Sequence, residues 1–179
     1  LAEPGICESV RHGVTTVFVG SCSLGTVLAD ALDGADLFSR VEALPHASVL
    51  STLQEHKTWS TPSEWIDALH ARPLGPNVAA FLGHSDLRSA VMGIDRATDG
   101  RVRPSKDELT AMEDHLHQAL DAGFLGLSTM TNPWDKVGGD RYRSRKLPST
   151  YATWSEYRRF HRILRKRDRV LQSAPNITT

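Results

Sequence analysis

The sequence predicts an α/β fold built on a parallel sheet, and three observations predict it. Amphipathic helix patterns alternate with short apolar runs along the chain. Those runs lack the polar–apolar alternation of a half-exposed strand, so they read as strands buried on both faces. Three of the helices open on the same Ser/Thr-x-x-Glu box. The chain has 179 residues and is 40% apolar, enough for a real core in one domain or part of one.

The elements follow in order. Residues 3–12 read as a helix leading into a strand over 14–19. Thr61-Pro62-Ser63-Glu64 has a capping hydroxyl, a proline at the first helical position and a glutamate that reaches back to the cap. It opens a helix over 61–71, and a strand over 77–82 follows. Ser105-Lys106-Asp107-Glu108 opens a helix over 105–122, with Leu109, Met112, Leu116 and Leu120 at helical spacing. A strand over 124–128 comes next. Thr153-Trp154-Ser155-Glu156 opens a helix over 153–167, and a strand over 170–173 closes the series.

The residues just past each strand carry the chemistry. They are Ser21-Cys22, Gly83-His84-Ser85, Ser128-Thr129 and Ser173-Ala174-Pro175-Asn176. Barrels and open doubly wound sheets both place active sites at these ends. The connections 23–60 and 130–152 are long and lie on that same side, which favours a barrel with a built site.

Net charge is formally zero but unevenly distributed. Residues 1–100 hold 6 basic and 12 acidic side chains, whereas 101–179 hold 15 and 9. No apolar run is long enough to span a bilayer, and no signal-peptide pattern is present. Two cysteines without a CxxC give no disulfide framework, so a reduced, cytoplasmic setting is expected. The sequon Asn176-Ile177-Thr178 reads as a chance match. The chain opens within a helix pattern, lacks an initiator Met and stops just after a strand, so a piece of a longer protein is expected.

Several motifs reduce to structure. Gly20-Ser21-Cys22-Ser23-Leu24-Gly25-Thr26 has the glycine spacing of a P-loop but Thr where the phosphate-binding Lys belongs. Gly126-Leu127-Ser128-Thr129-Met130 lacks the closing glycine of a nucleophile elbow. His115 and His117 stand two apart on a helix, about 200° around its axis, so they do not chelate one ion together. The helix with basic residues from Arg158 to Arg169 keeps Tyr157, Phe160, Ile163 and Leu164 at helical spacing, the pattern of a packed helix with solvated arginines. His84 follows a strand directly, which suits a site role as well as a structural one. Cys22 sits among Gly and Ser at a strand end. It can pack as a small hydrophobe or bind a soft or borderline metal as thiolate.

Residues 13–23, GVTTVFVGSCS, resemble a segment of the N-acyl-D-amino-acid deacylases, a branch of the metal-dependent amidohydrolases. Asp36-Leu37-Phe38-Ser39-Arg40-Val41, 65–69, 73–83 with His84-Ser85, and 122–129 extend the resemblance across nearly the whole chain. It implies a partial (β/α)8 TIM-type barrel of about strands two to five, with 1–179 a fragment of one amidohydrolase barrel domain. It implies zinc at the barrel mouth, Cys22 as a metal ligand, and hydrolysis of the amide of N-acylated D-amino acids by a metal-activated water. His84, Ser85, Ser128, Thr129, Ser173 and Asn176 become candidates to line the site. The family's HxH is expected before Leu1 and its general-base aspartate after Thr179, so the segment alone is expected to be inactive. The place after the last strand reads Gln172-Ser173-Ala174-Pro175-Asn176, without the family's histidine; Ser21 and Ser23 replace its Asn and Gly. The partners implied are a small N-acyl amino acid and the remainder of the barrel, with no nucleic acid and no membrane. The other functional class is a non-catalytic binding protein that uses the basic helix face at 158–169.

Overall fold

A computed structural model of the chain describes residues 3–176; of the sequon, Ile177 and Thr178 fall outside it. Four strands, β1 (Thr16–Val19), β2 (Asn77–Gly83), β3 (Gly126–Met130) and β4 (Val170–Ala174), form one sheet in sequential order. Every neighbouring pair is parallel, with Val19 beside Ala80, Gly83 beside Ser128 and Thr129 beside Ser173. All four C-terminal ends therefore share one rim.

The helices are α1 (Cys7–Arg11), α2 (Ala31–Val41), α3 (His46–His56), α4 (Pro62–His70), α5 (His84–Met92), α6 (Ile94–Ala97), α7 (Lys106–Asp121) and α8 (Trp154–Lys166), with a 3-10 turn at Pro148–Tyr151. The Thr61–Glu64 and Ser105–Glu108 capping boxes form in full, each hydroxyl accepting from the glutamate N–H and each glutamate returning to the cap. The third box forms only half. Thr153 Oγ1 accepts from Glu156 N–H (3.3 Å), but the Glu156 carboxylate turns inward.

Two expectations change. The connection over 23–60 is not an open loop: it holds α2, capped by Asp30, whose Oδ1 accepts from Asp33 N–H (2.8 Å), and also α3. His84 is not in a turn; it is the first residue of α5, which starts directly where β2 ends. A strand feeding a helix with no linker leaves the helix's first side chains beneath the rim.

The core lies between the helices and one face of the sheet. Trp65, Leu82, Met112, Leu116, Phe124, Leu127, Phe160 and Leu164 are buried there together. Val19, Val78 and Leu171 pack against the same cluster, so these strand residues all point toward the helices. Full burial of each large apolar side chain contributes roughly 1.5–3 kcal/mol. The opposite face is bare near its edges. Phe18 stacks on Phe81 at 6.4 Å between ring centroids and is 60% exposed; Val170 on the far edge is 52% exposed. No described helix is long and apolar enough to cross a membrane.

Candidate active-site rim

Strand alternation divides the rim into two polar groups. Leu82 and Leu127 face the helices, so Ser128 faces the other way and Thr129 faces the helices again. Adjacent residues that the sequence offers as one set thus serve opposite sides of the sheet.

On the side away from the helices, Ser128, Gln172, Cys22 and Ser23 form one chain of hydrogen bonds. Ser23 N–H donates to Ser128 Oγ (2.7 Å), Ser128 Oγ–H to Gln172 Oε1 (2.7 Å), and Cys22 N–H to the same oxygen (3.1 Å). Cys22 (φ 56°) and Ser23 (φ 66°) are both left-handed, a conformation that disfavours side chains. The turn holds because its N–H groups are caught by the ends of β3 and β4. Close packing fixes it from beneath: a Cβ on Gly83 would lie 2.5 Å from the Leu24 carbonyl oxygen.

Asp86, in the first turn of α5, holds the next stretch. Its Oδ2 accepts from Val27 and Leu28 N–H (3.0 Å each) and its Oδ1 from Ala29 N–H (2.8 Å). Lys57 Nζ fastens the outside of the same stretch, donating to the carbonyls of Val27 (3.3 Å) and Trp59 (2.6 Å).

The Cys22 thiol is half-buried. It packs against a buried cluster of Leu24, Leu37, Ile94, Met130, Val137 and Leu147, which Phe38 and Val41 of α2 and Tyr142 of the loop after β3 also pack against. Burial raises its pKa, and the nearby charges of Glu42 and Asp135 raise it further. Arg141 ties the loop after β3 to α2. Its Nη2 donates to Asp33 Oδ1 (2.6 Å) and Asp36 Oδ2 (2.7 Å), while His46 Nε2 meets Asp36 Oδ1 (2.8 Å).

On the helix side, His84 is fully buried with both ring nitrogens engaged. Nε2 meets Glu156 Oε1 (2.8 Å) and Nδ1 meets Thr129 Oγ1 (2.9 Å). Arg88 Nη1 donates to Glu156 Oε2 at 2.5 Å, and Thr129 lies 3.1 Å from the Tyr157 hydroxyl, which donates to the Ser149 carbonyl (2.8 Å). Burial lowers the His84 pKa, against the pull of Glu156. His84 thus has both ring nitrogens engaged and no exposure, and Thr129 is buried with it. Both belong to the layer behind the sheet.

The remaining candidates separate as well. Ser85 is buried, with its Oγ 2.8 Å from Ser23 Oγ and 3.1 Å from Ser149 Oγ. Ser128 stands at the Cys22 turn. Ser173 is exposed on the edge strand beside Thr129. Asn176 is half-buried, and its N–H donates to Thr131 Oγ1 (2.8 Å). His115 and His117 stand two apart on α7, so helical phase turns them to different sides of the helix. Sequence inspection missed Gln172, Asp86, Arg88 and Glu156 as members of these networks. For Gln172 a signal existed, since it is two residues past Val170 on the same strand face as Ser128's partner position. Nothing local marked Arg88.

Whether these residues fit a metal is decided by counting donors. Among the described residues, no three or more His, Cys, Asp or Glu side chains stand together as a metal site. Cys22 is a single donor and His84 has both ring nitrogens engaged, so the described residues by themselves do not complete a zinc site.

No family model matches the chain. An uncharacterized protein of Mycobacterium tuberculosis is 59% identical over 177 residues, 99% of this chain and 29% of that protein. The N-acyl-D-glutamate deacylase of Alcaligenes xylosoxydans xylosoxydans is 33% identical over 127 residues, 71% of this chain and 23% of the enzyme. Among solved structures, the N-acyl-D-glutamate deacylase of Bordetella bronchiseptica, complexed with zinc and a phosphonate inhibitor, superposes with a TM-score of 0.68 at 28% identity, covering 97% of this chain and 30% of the enzyme. The chain's relatives are the N-acyl-D-amino-acid deacylases. The four-stranded parallel sheet matches part of the TIM barrel of the deacylase structures. A D-aminoacylase structure superposes with a TM-score of 0.62, covering 90% of this chain and 28% of that one. The chain thus matches 23% to 30% of the length of these deacylases.

Proposed function

We propose that the chain is the strand-two-to-five part of a barrel that hydrolyses the amide of N-acyl-D-amino acids, and that Cys22 is its donor to the metal centre. The observation that carries this reading is the Cys22–Ser23 turn. Two consecutive left-handed residues set a thiol at the C-terminal rim, and side chains from the ends of β3 and β4 hold them there. A buried packing cysteine needs no such frame. The deacylases named above, with zinc bound in one of them, support the chemistry. The bare sheet face with exposed Phe18 and Val170 supports further strands closing on both edges.

The frame assigns work to residues beyond the thiol. Gln172 and Ser128 orient the turn, and Asp86 anchors the backbone that follows.

The test is made on the full-length protein. Cys22→Ser replaces a thiol with a hydroxyl of similar size and a much poorer affinity for zinc. Zinc content after dialysis is expected to fall, with loss in retention of about 100-fold or more, since even groups behind the ligands cost 10–100-fold. Hydrolysis of N-acetyl-D-amino acids is expected to fall with it. Unchanged zinc and turnover would return Cys22 to a packing role.

Residues 1–179 expressed alone are expected to release no free amino acid from the same substrates, with or without added zinc. One thiol cannot hold the ion with an open coordination position, and no three or more His, Cys, Asp or Glu side chains among the described residues stand together to hold it. Turnover that exceeds the zinc-only blank and disappears with Cys22→Ala would show the site to be complete within these residues.

A further inference from the structure

On the outer surface, α7 and α8 run side by side and enclose a groove of about 320 Å³. Glu113, His117 and Asp121 recur every fourth residue on α7 and form one row facing it. The two ends of the row are acid–base rungs. Arg159 binds Glu113 through two nitrogens, Nε and Nη2, each at 2.7 Å, and Arg167 Nη2 binds Asp121 Oδ1 at 2.5 Å. The middle rung breaks the pattern. His117 stands where an acid would complete it, opposite Arg162 and Lys166 and over the apolar wall of Ile163. Arg162 and Lys166 are exposed, and neither forms an ion pair among the described residues. The carboxylate of Glu113 has both oxygens taken by Arg159, so it does not neutralise the centre of the groove.

We propose that this middle rung binds a phosphate group, carried by inorganic phosphate or a small phosphomonoester. Three donors of different geometry line the groove there: a guanidinium fork, an ammonium and an imidazole N–H. A carboxylate offers two oxygens in one plane and matches the fork alone. A phosphate group offers three terminal oxygens and close to two negative charges, and so matches all three donors. Arg159 and Arg167, held in the flanking rungs, line the same groove. The site lies on the helix layer, outside the sheet rim, and does not depend on any activity there.

The experiment is calorimetric titration of the full-length protein with inorganic phosphate and with glycerol phosphate, at fixed ionic strength set by chloride. Saturable binding is expected, with Kd about 1 mM, the strength of a small surface site. Arg162→Ala and Lys166→Ala are each expected to weaken it about tenfold, as loss of a charge-assisted contact does. Arg158→Ala, exposed on the same helix outside the groove, is expected to leave it unchanged. Tighter binding of glycerol phosphate identifies the phosphomonoester as the ligand, and tighter binding of inorganic phosphate identifies the free ion. Absence of saturable binding in the millimolar range, or equal loss with Arg158→Ala, overturns the proposal; the latter marks a diffuse positive field with no site.

Discussion

Replacing Glu156 with alanine is expected to destabilise the fold by about 3–5 kcal/mol, the cost of leaving a buried charge without its partner. Glu156, Arg88 and His84 are all fully buried, and the carboxylate is the only group that bonds both others. Without it, the Arg88 guanidinium stays in the core with its charge uncompensated; its Nε and Nη2 already have no partner among the described residues. The carboxylate also joins α8 to α5, elements separated by 72 positions between Glu156 and His84. Glu156→Gln keeps the shape and one acceptor and is expected to cost less. Urea unfolding of both variants makes the comparison. A loss below about 1 kcal/mol for Glu156→Ala would mean that Arg88 reaches water.

The same triad sets the response to acid. Burial holds His84 below its ordinary value of 6.5, so the unfolded chain takes up a proton that the folded one refuses. The Glu156 carboxyl is raised by burial, but the hydrogen bond from His84 and the charge of Arg88 outweigh this and leave it below its ordinary 4.5. The two signs agree. Each group's contribution is complete above its unfolded pKa and is lost as pH falls below it, first near 6.5 for His84 and then near 4.5 for Glu156. Thermal midpoints are therefore expected to drop on acidification from neutrality.

Asp86→Ala is the second large effect. It strands three backbone N–H groups, those of Val27, Leu28 and Ala29, two of them on buried residues. A buried donor left unpaired costs about 1–3 kcal/mol, so a total of about 3 kcal/mol or more is expected. The loss has a local signature: amide hydrogen exchange at 27–29 should accelerate well beyond that of α7. Protection retained at those amides would show that other groups hold the stretch. Because that stretch follows directly from the Cys22 turn, its loosening should also raise the alkylation rate of the thiol.

Much of the fold was legible in the residues alone. The four parallel strands, the caps of α4 and α7, and the position of Cys22 at a strand end all follow from patterns local to each stretch of the chain. Hydroxyl caps, proline at a helix start and unbroken apolar runs act on their own neighbourhood, so sequence carries them directly. The comparison with deacylase structures bears out the partial barrel that the resemblance implied.

The tertiary structure decided which side of the sheet each polar residue serves. Ser128 and Thr129 are neighbours in the chain, yet one joins the Cys22 turn and the other joins His84 behind the sheet. Glu156 has every local mark of a capping glutamate, but its carboxylate finds stronger partners in a buried imidazole and guanidinium than in an exposed N–H. Gln172 reaches a turn 150 positions earlier in the chain. Such contacts depend on strand register and on where a helix lands, quantities set by the packing of distant segments. Short-range hydrogen bonding determined the elements of this protein; the low dielectric and close packing between them determined which of its polar side chains meet.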